Sequence, residues 1–482
     1  MFSEVLGAAN ILLFLETAVS NTYFFLFCSY LKKKYYLCSI IANNTMTRLR
    51  FLLPLLIALL PFSASAQRSA TDIAADMYPG WNLGNTMEPG PCNWISNPID
   101  WETAWQGSKT TQQIIDFVKA QGFRSVRIPC SWFVHSDADH HIDTKWLDRV
   151  QQVVDYCIND SLYVILNDHY DNGWIEKSFA DRTEASVSKN CEILGVLWTQ
   201  IADRFRDYDY HLLFAGMNEP DAAGDNSKDK AGDIATLIRY QQAFVNAVRQ
   251  TGGNNANRVL VVQSPCTSID LATNYDVMPQ DAIPNAMMLE VHFYSPYNFT
   301  MMTKDESWGN QAYYWGAGNH VSGSKHNATW GEESYMQSQM RQMKTKYTSK
   351  GIPVIMGEFG TLWRTMPEGE NQEKHDASIY SWYYTLCRYA VNNGVVPFVW
   401  DTNYCQRPSM DILNRKTRSV FNQLALDGII QGCASVKWPY TTGIGTTLID
   451  KNDNAFYDLQ GRLLKNIPNR GIFIINGKKH IR

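Results

Sequence analysis

Residues 162–174 read LYVILNDHYDNGW, an unbroken apolar run of strand length that stops at Asn167, Asp168 and His169. A run without polar alternation has no face suited to water, so it reads as a parallel strand covered on both sides. Just before it, Trp146, Leu147, Val150, Val153, Val154, Cys157 and Ile158 keep three-and-four spacing, an amphipathic helix with Thr144 as its cap and Asn159-Asp160 as its release. The same unit recurs in both directions. Strand-length apolar runs lie at Trp81–Leu83, Ser125–Ile128, Tyr163–Leu166, Leu212–Met217, Val259–Val262, Met288–Val291, Pro353–Met356 and Pro397–Val399. Helical stretches at Ile114–Ala120, Thr236–Val248, Met336–Tyr347 and Ser378–Val391 stop near Gly122, Gly252-Gly253, Gly351 and Gly394, where a left-handed residue can end a helix. Eight such repeats in about 350 residues predict an α/β fold, a (β/α)8 TIM barrel with loop insertions, with an open doubly wound sheet as the alternative.

A closed barrel gathers the C-terminal ends of its strands at one mouth. Polar residues stand at those ends: Arg127 on the second strand, Asn167-Asp168-His169 on the third, Asn218-Glu219 on the fourth, His292 and Tyr294 on the sixth, Glu358 on the seventh, Trp400-Asp401 on the eighth. Glu219 and Glu358 each leave a hydrophobic strand, where a carboxylate is costly unless used or paired. Two carboxylates at one mouth are what glycoside hydrolysis requires, one protonated to assist the leaving oxygen and one ionised to attack the anomeric carbon. The alternative for either glutamate is a structural ion pair with Arg127 or a neighbouring helix. The longest connections, Ala222–Asp233 and Thr300–Asn327, lie over the same ends, and the second carries Trp308, Tyr313, Tyr314, Trp315 and His320. Substrate contacts are expected there.

Seven strings at these positions, GWNLGNT (80–86), VRIP (126–129), ILNDHYDNGW (165–174), GMNEP (216–220), HFYSPYNF (292–299), IMGEFG (355–360) and FVW (398–400), resemble those of glycoside hydrolase family 5, the cellulase family of (β/α)8 retaining glycosidases. The resemblance runs from Gln67 to about Cys433, and GWNLGNT and SPYNF look most like the endo-β-1,4-glucanases that also accept xyloglucan, mixed-linkage glucan or xylan. It implies that Glu219 is the acid/base and Glu358 the nucleophile of a double displacement. It implies further that Arg127 orients Glu358, that Asn218 binds the sugar 2-hydroxyl, and that Tyr294 places its hydroxyl near Glu358. His169 and His292 would line the reacting subsite and Trp400 would stack beneath its sugar ring. Asn85, Trp94, Trp132, Trp174, Trp308 and Trp363 are further cleft candidates. The implied partner is a β-glucan polysaccharide, with no cofactor and no metal. Tyr170, where relatives often carry a second histidine, and Asp401-Thr402-Asn403 depart from the family's usual pattern and bear on substrate preference. A xyloglucanase, mixed-linkage glucanase or β-mannanase of the same fold, or a barrel that binds carbohydrate without cutting it, are the alternatives.

Composition agrees with a folded catalytic domain. The 482 residues are 45% apolar and 13% aromatic, with 43 Lys and Arg against 47 Asp and Glu, and no basic stripe that would serve nucleic acid. Met46–Ala66 follows the plan of a secretory signal: Arg48 and Arg50, an apolar stretch from Phe51 to Phe62, then Ala64-Ser65-Ala66. Residues 1–45 then read as a start chosen upstream of the true one, since Glu16 and Asn21 make Ala8–Leu31 a poor membrane span. Cleavage after Ala66 leaves a mildly acidic, exported chain starting at Gln67, with no membrane insertion and a monomer as the default. The catalytic domain would span 67–435 and a linker with a C-terminal tail 436–482. In that tail Ala455–Leu459, a turn at Gly461 and Gly471–Ile475 read as strand, turn and strand, resembling sorting tails that carry proteins to the outside of Gram-negative cells; a small hairpin is the alternative. The enzyme would then work outside the cell or on its surface.

Eight cysteines from 92 to 433 lack zinc spacing and leave room for one or two unreadable disulfides. His135, Asp137, Asp139, His140 and His141 crowd a polar loop that reads as solvated rather than metal-binding, and Asp450–Asn454 mimics part of a calcium loop but lacks its glycine and final glutamate.

Overall fold

A computed structural model describes residues 68–440 and, as backbone, four short strands between 456 and 481. Eight parallel strands close into a barrel in sequence order: β1 Gly80–Asn82, β2 Ser125–Ile128, β3 Tyr163–Asn167, β4 Leu212–Ala215, β5 Leu260–Gln263, β6 Met287–Phe293, β7 Val354–Phe359 and β8 Val395–Val399, with β1 pairing β8. The open-sheet alternative is thereby excluded. Outside the barrel run the helices α1 Ala70–Asp76, α2 Gln112–Ala120, α3 Thr144–Asn159, α4 Glu184–Arg204, α5 Lys230–Gln250, α6 Ile269–Asn274, α7 Tyr297–Thr300, α8 Glu333–Lys346, α9 Gln372–Asn392 and α10 Gln423–Ala434. In α3 Trp146, Val150, Val153, Val154 and Cys157 of the expected stripe are buried and Leu147 and Ile158 half-buried, but the cap is Asp143, whose carboxylate accepts the Lys145 N–H at 2.8 Å, and Thr144 is the first helical residue. Asp143 wins because its side chain reaches back from a non-helical position to an amide that has no intrahelical partner. Gly122, Gly252, Gly351 and Gly394 all take positive φ, as the helix ends required.

Period-two alternation splits each strand between two cores. Outward side chains such as Val126, Val164, Leu166, Phe214, Leu289 and Val291 pack under the helices, while Ile165, Leu213, Val261, Met288, Ile355, Val396 and Phe398 fill the barrel interior. Helix α1, opened by a capping box between Ser69 and Asp72, adds Ala70, Ile73, Ala74 and the following Met77 to the interior cluster, beside the strand starts. Full burial of each large aliphatic contributes roughly 1.5–3 kcal/mol. Above this apolar layer the inward positions change character: Asn82, Arg127, Asn167, Gln263 and Glu290 are all fully buried.

In the tail, β11 Phe456–Tyr457, β12 Leu463–Leu464, β13 Ile472–Ile475 and β14 Lys478–Ile481 form an antiparallel sheet in the order β12-β11-β13-β14, after a small ribbon of β9 Leu413–Asn414 and β10 Ser419–Val420. Two more strands form than the sequence reading held, Leu463–Leu464 and Lys478–Ile481. The expected signal at 46–66, the upstream segment 1–45 and the calcium-like run lie outside the described residues. Among the described residues no helix is long and apolar enough to cross a membrane. Among the described residues the room left for one or two disulfides is not used: all eight cysteines are thiols, five of them buried as small hydrophobic residues.

Candidate active site

Strand β7 brings Glu358 to the mouth by breaking its own alternation. Val291 pairs with Met356 but His292 pairs with Glu358, so Gly357 is an extra residue in the ladder. Such a bulge lets Ile355 and Glu358, three residues apart, both face inward. Glycine is required there because a Cβ on residue 357 would lie 1.8 Å from Glu290 Oε1. Asn82 fixes the bulge by donating to the Gly357 carbonyl at 2.8 Å.

Arg127 is the hub. Its Nη1 donates to Asn82 Oδ1 at 3.0 Å and Glu358 Oε1 at 3.1 Å, its Nη2 to Asn218 Oδ1 at 2.7 Å, and its Nε lies 2.9 Å from Glu290 Oε1. The second oxygen of Glu358 accepts the Tyr294 hydroxyl at 3.0 Å. Burial holds the Glu358 carboxyl above its ordinary value, against the opposing pull of the His292 and Arg127 cations. Burial and the neighbouring Glu358 charge hold the Tyr294 phenol well above its usual range, so it stays a donor.

Glu219 differs. Its side chain is 45% exposed and accepts from His292 Nδ1 at 2.6 Å, while its own N–H donates to Glu176 Oε1 at 2.5 Å. Burial works against ionisation of Glu219, but the bond to His292 outweighs it and holds the carboxyl below its ordinary value. Burial alone would depress His292; the Glu358 charge and the bonds to Glu219 and Glu290 instead push it up to about 10. Glu176 is pushed up to about 7 by burial. The turn behind Glu219 is strained: Cys266 and Thr267 have φ of 47° and 45°, and the Cys266 N–H donates to the Pro220 carbonyl at 2.8 Å.

One ligand atom from each of Glu219, His292 and Glu358 lies within 4.8 Å of the others, the one such group among the described residues that could hold a metal ion. Arg127 and His292 already supply positive charge to it, so a divalent cation would meet like charge. Two carboxylates this close, one hydrogen-bonded in the buried floor and one reaching into the cleft, fit double displacement, for which the carboxyl groups stand about 5–5.5 Å apart rather than about 6.5–9.5 Å.

The profile of the cellulase family, glycosyl hydrolase family 5, matches residues 88–406. The chain belongs to glycosyl hydrolase family 5. It is a glycoside hydrolase. A family 5 xyloglucan-specific β-1,4-glucanase from a ruminal metagenomic library, solved with the oligosaccharide XXLG, is 48% identical with a TM-score of 0.72, covering 78% of this chain and 98% of its own. The Bacteroides ovatus family 5 xyloglucanase, solved with a XXXG heptasaccharide, is 32% identical with a TM-score of 0.68, over 76% of this chain and 77% of its own. Endoglucanase A of Clostridium longisporum is 34% identical over 78% of this chain and 68% of its length.

The remaining family 5 motif residues gather at the same mouth. His169 lies parallel to Trp400, ring centroids 5.7 Å apart and planes 6° from parallel. Burial holds His169 well below the ordinary histidine value, so its ring is neutral; with Nδ1 3.3 Å from Asn167 Nδ2, the tautomer assigned from that contact leaves Nε2–H for the cleft. A Cβ on Gly84 would lie 3.0 Å from the Trp400 ring; the next residue, Asn85, takes φ 56° and its N–H donates to Glu88. Asp401 anchors the Trp400 loop by accepting from Trp81 Nε1 at 2.9 Å and the Leu413 N–H at 3.0 Å. Tyr170 accepts from Lys177 Nζ at 2.5 Å.

Several expectations change. Trp132 is fully buried and donates to the Asn167 carbonyl at 2.9 Å, so it is core. Tyr313, Tyr314 and Trp315 are buried and His320 is tied to Glu332 at 2.7 Å, leaving Trp308 as the exposed aromatic of the 300–327 connection. His135 is not solvated: it is buried against Trp146, ring centroids 3.8 Å apart, because stacking offsets its loss of water. Glu290 escaped the sequence reading. It touches Arg127, accepts from Gln263 Nε2 at 2.8 Å and lies 3.4 Å from His292 Nε2. Its signal was a glutamate inside the apolar run MMLEVHF, two residues before His292 and so on the same strand face.

Proposed function

We propose that the chain is a secreted, retaining endo-β-1,4-glucanase that cuts internal bonds of plant β-glucans. The carrying observation is the approach of Glu219 and Glu358 within 4.8 Å, the first bonded to His292 and the second to Arg127 and Tyr294. Glu358 attacks the anomeric carbon as the glycosidic C–O bond breaks, and Glu219 gives its proton to the departing oxygen. Water then loses a proton to Glu219 and attacks the same carbon, releasing Glu358 with net retention. At rest the Glu219–His292 pair holds one proton on the imidazole. Substrate displaces water from the half-exposed Glu219, which favours its neutral form and shifts the proton across the 2.6 Å hydrogen bond to the carboxyl that must donate it.

Arg127 holds Glu358 ionised and aimed, and Tyr294 steadies its other oxygen. Asn218, oriented by Arg127, takes the sugar 2-hydroxyl, while neutral His169 and Asn85 border the ring that Trp400 supports from below. Glu290 is a positioning residue: it fixes Arg127 and the Nε2 side of His292. The export signal at 46–66, the 67–435 catalytic domain, the 436–482 sorting tail and a monomeric state complete the reading. Xyloglucan as the preferred polymer is a second reading, supported by the 48% identity to the ruminal xyloglucanase.

Reducing-end release from β-glucan, xyloglucan, xylan and mannan by Gln67–Arg482 tests the substrate, and proton NMR of the first product tests the stereochemistry. Rapid depolymerisation of a β-1,4-glucan with β-anomer appearing first is expected. An α-anomer, or binding without turnover, sinks the mechanism.

A further inference from the structure

Glu176 stands directly behind Glu219, and the double displacement described above does not use it. It lies in the connection after β3 and is 5% exposed. The chain around it is anchored on both sides. Asp171 accepts the N–H groups of Trp132 at 2.7 Å, of Phe133, and of Val134 at 3.0 Å, while Ile175 and Phe179 are buried in the outer core. Held this way, Glu176 grips the turn that carries Glu219 at both ends. Its Oε1 accepts the Glu219 N–H at 2.5 Å, and its carbonyl accepts the Asp221 N–H at 3.0 Å. Pro220 between them has no N–H, so every amide proton from 219 to 221 goes to Glu176.

The charges that face Glu176 are those of the catalytic pair. Burial, then the Glu219 and Glu358 charges, push its carboxyl up to about 7, against the Glu219 N–H and the Asn218 side chain. Asp168 faces it from the end of β3 without charge, because burial and the Asp171 carboxylate hold Asp168 well above the usual carboxylate range. Lys177 and Asp221 turn to the surface, where the Lys177 ammonium lies 4.9 Å from the centre of the Tyr170 ring. Repulsion between two carboxylates is mutual: what the Glu219 charge adds to the proton affinity of Glu176, the Glu176 charge adds to that of Glu219. The bond to His292, which outweighs burial, works the other way and holds Glu219 ionised at rest. An acid catalyst needs the opposite bias, and Glu176 supplies it from the buried side.

We propose that Glu176 is a positioning residue for the acid/base: it fixes the Glu219 main chain and, when ionised, restores to Glu219 part of the proton affinity that His292 removes. This rests on Glu219 acting as the acid, as read above. The test is kcat/KM for a soluble β-1,4-glucan across about pH 4 to 10 in wild type, Glu176→Gln and Glu176→Ala. Below about pH 7 Glu176 is neutral, and glutamine keeps an oxygen for the Glu219 N–H, so the acid limbs of wild type and Glu176→Gln should coincide. Above it only the wild type carries the extra charge. The alkaline limb of Glu176→Gln is therefore expected to fall earlier by roughly half to one pH unit, a loss of about 3–10-fold on that limb. Glu176→Ala also leaves a buried N–H unpaired, and its plateau kcat should drop about tenfold below that of Glu176→Gln. An active wild type whose alkaline limb is unmoved by Glu176→Gln overturns the charge coupling, which a merely structural Glu176 would not need. Equal plateaus for Glu176→Ala and Glu176→Gln overturn the positioning. A wild-type chain that cuts none of the β-glucans sinks the acid/base reading itself, and the role of Glu176 falls with it.

Discussion

Along β6, Met288 and Glu290 point to the same barrel interior two residues apart, and they belong to different worlds. Met288 lies among Ile355, Val261 and Phe398, whereas Glu290 touches Arg127, Gln263 and His292. The lower interior is held by contact area, which tolerates small shifts; the upper is held by hydrogen bonds between buried charges, which do not. Stability and chemistry are thus stacked along one strand direction, and substitutions can pull them apart.

The largest effect falls at the top. Glu358→Gln is expected to lower kcat by roughly 10⁴-fold or more, and Glu219→Gln by roughly 10²–10⁴. For Glu219→Gln the loss should shrink on aryl glycosides whose leaving group needs no proton. Equal losses on both substrate types would remove Glu219 as the acid.

Below, Ile355→Ala should cost about 2–5 kcal/mol by denaturant titration while leaving kcat close to wild type at temperatures where the variant is folded. Glu290→Gln is expected to do both. It leaves Arg127 short of a buried counter-charge, a loss of about 3–5 kcal/mol when a buried pair is broken, and it shifts the pH profile, which a packing change would not do. A Glu290→Gln enzyme with an unaltered profile would return Glu290 to the merely structural half.

The last effect is in pH. Because His292 is raised to about 10 in the folded chain, from about 6.5 when unfolded, the stability it contributes is complete below pH 6.5 and is lost as pH rises toward 10. His292→Asn should abolish that alkaline loss in thermal melts and bring the alkaline fall in kcat/KM to lower pH. No movement in either curve would separate His292 from the shared proton.

The barrel was legible because its strands are uniformly apolar, and seven of the eight begin within one residue of their expected positions. Strand β8 starts two residues early because Val395 and Val396 continue the ladder behind Pro397. The mouth residues were legible because the chain places them at strand ends. Glu290 was not, since a mid-strand carboxylate is recognisable only once its partners on β2 and β5 are known to converge. The aromatic-rich 300–327 connection misled for a similar reason: burial of Tyr313, Tyr314 and Trp315 depends on α9, whose Ser378 accepts the Trp315 N–H at 2.9 Å.

The close approach at Gly357 also limits the order in which this enzyme can change. Any side chain at 357 collides with Glu290 Oε1, so an alanine there is inaccessible as a first step. A shorter residue at 290 must come first, and that step already disturbs Arg127. The two positions form a one-way gate, and libraries that vary 357 alone will return only glycine among active clones.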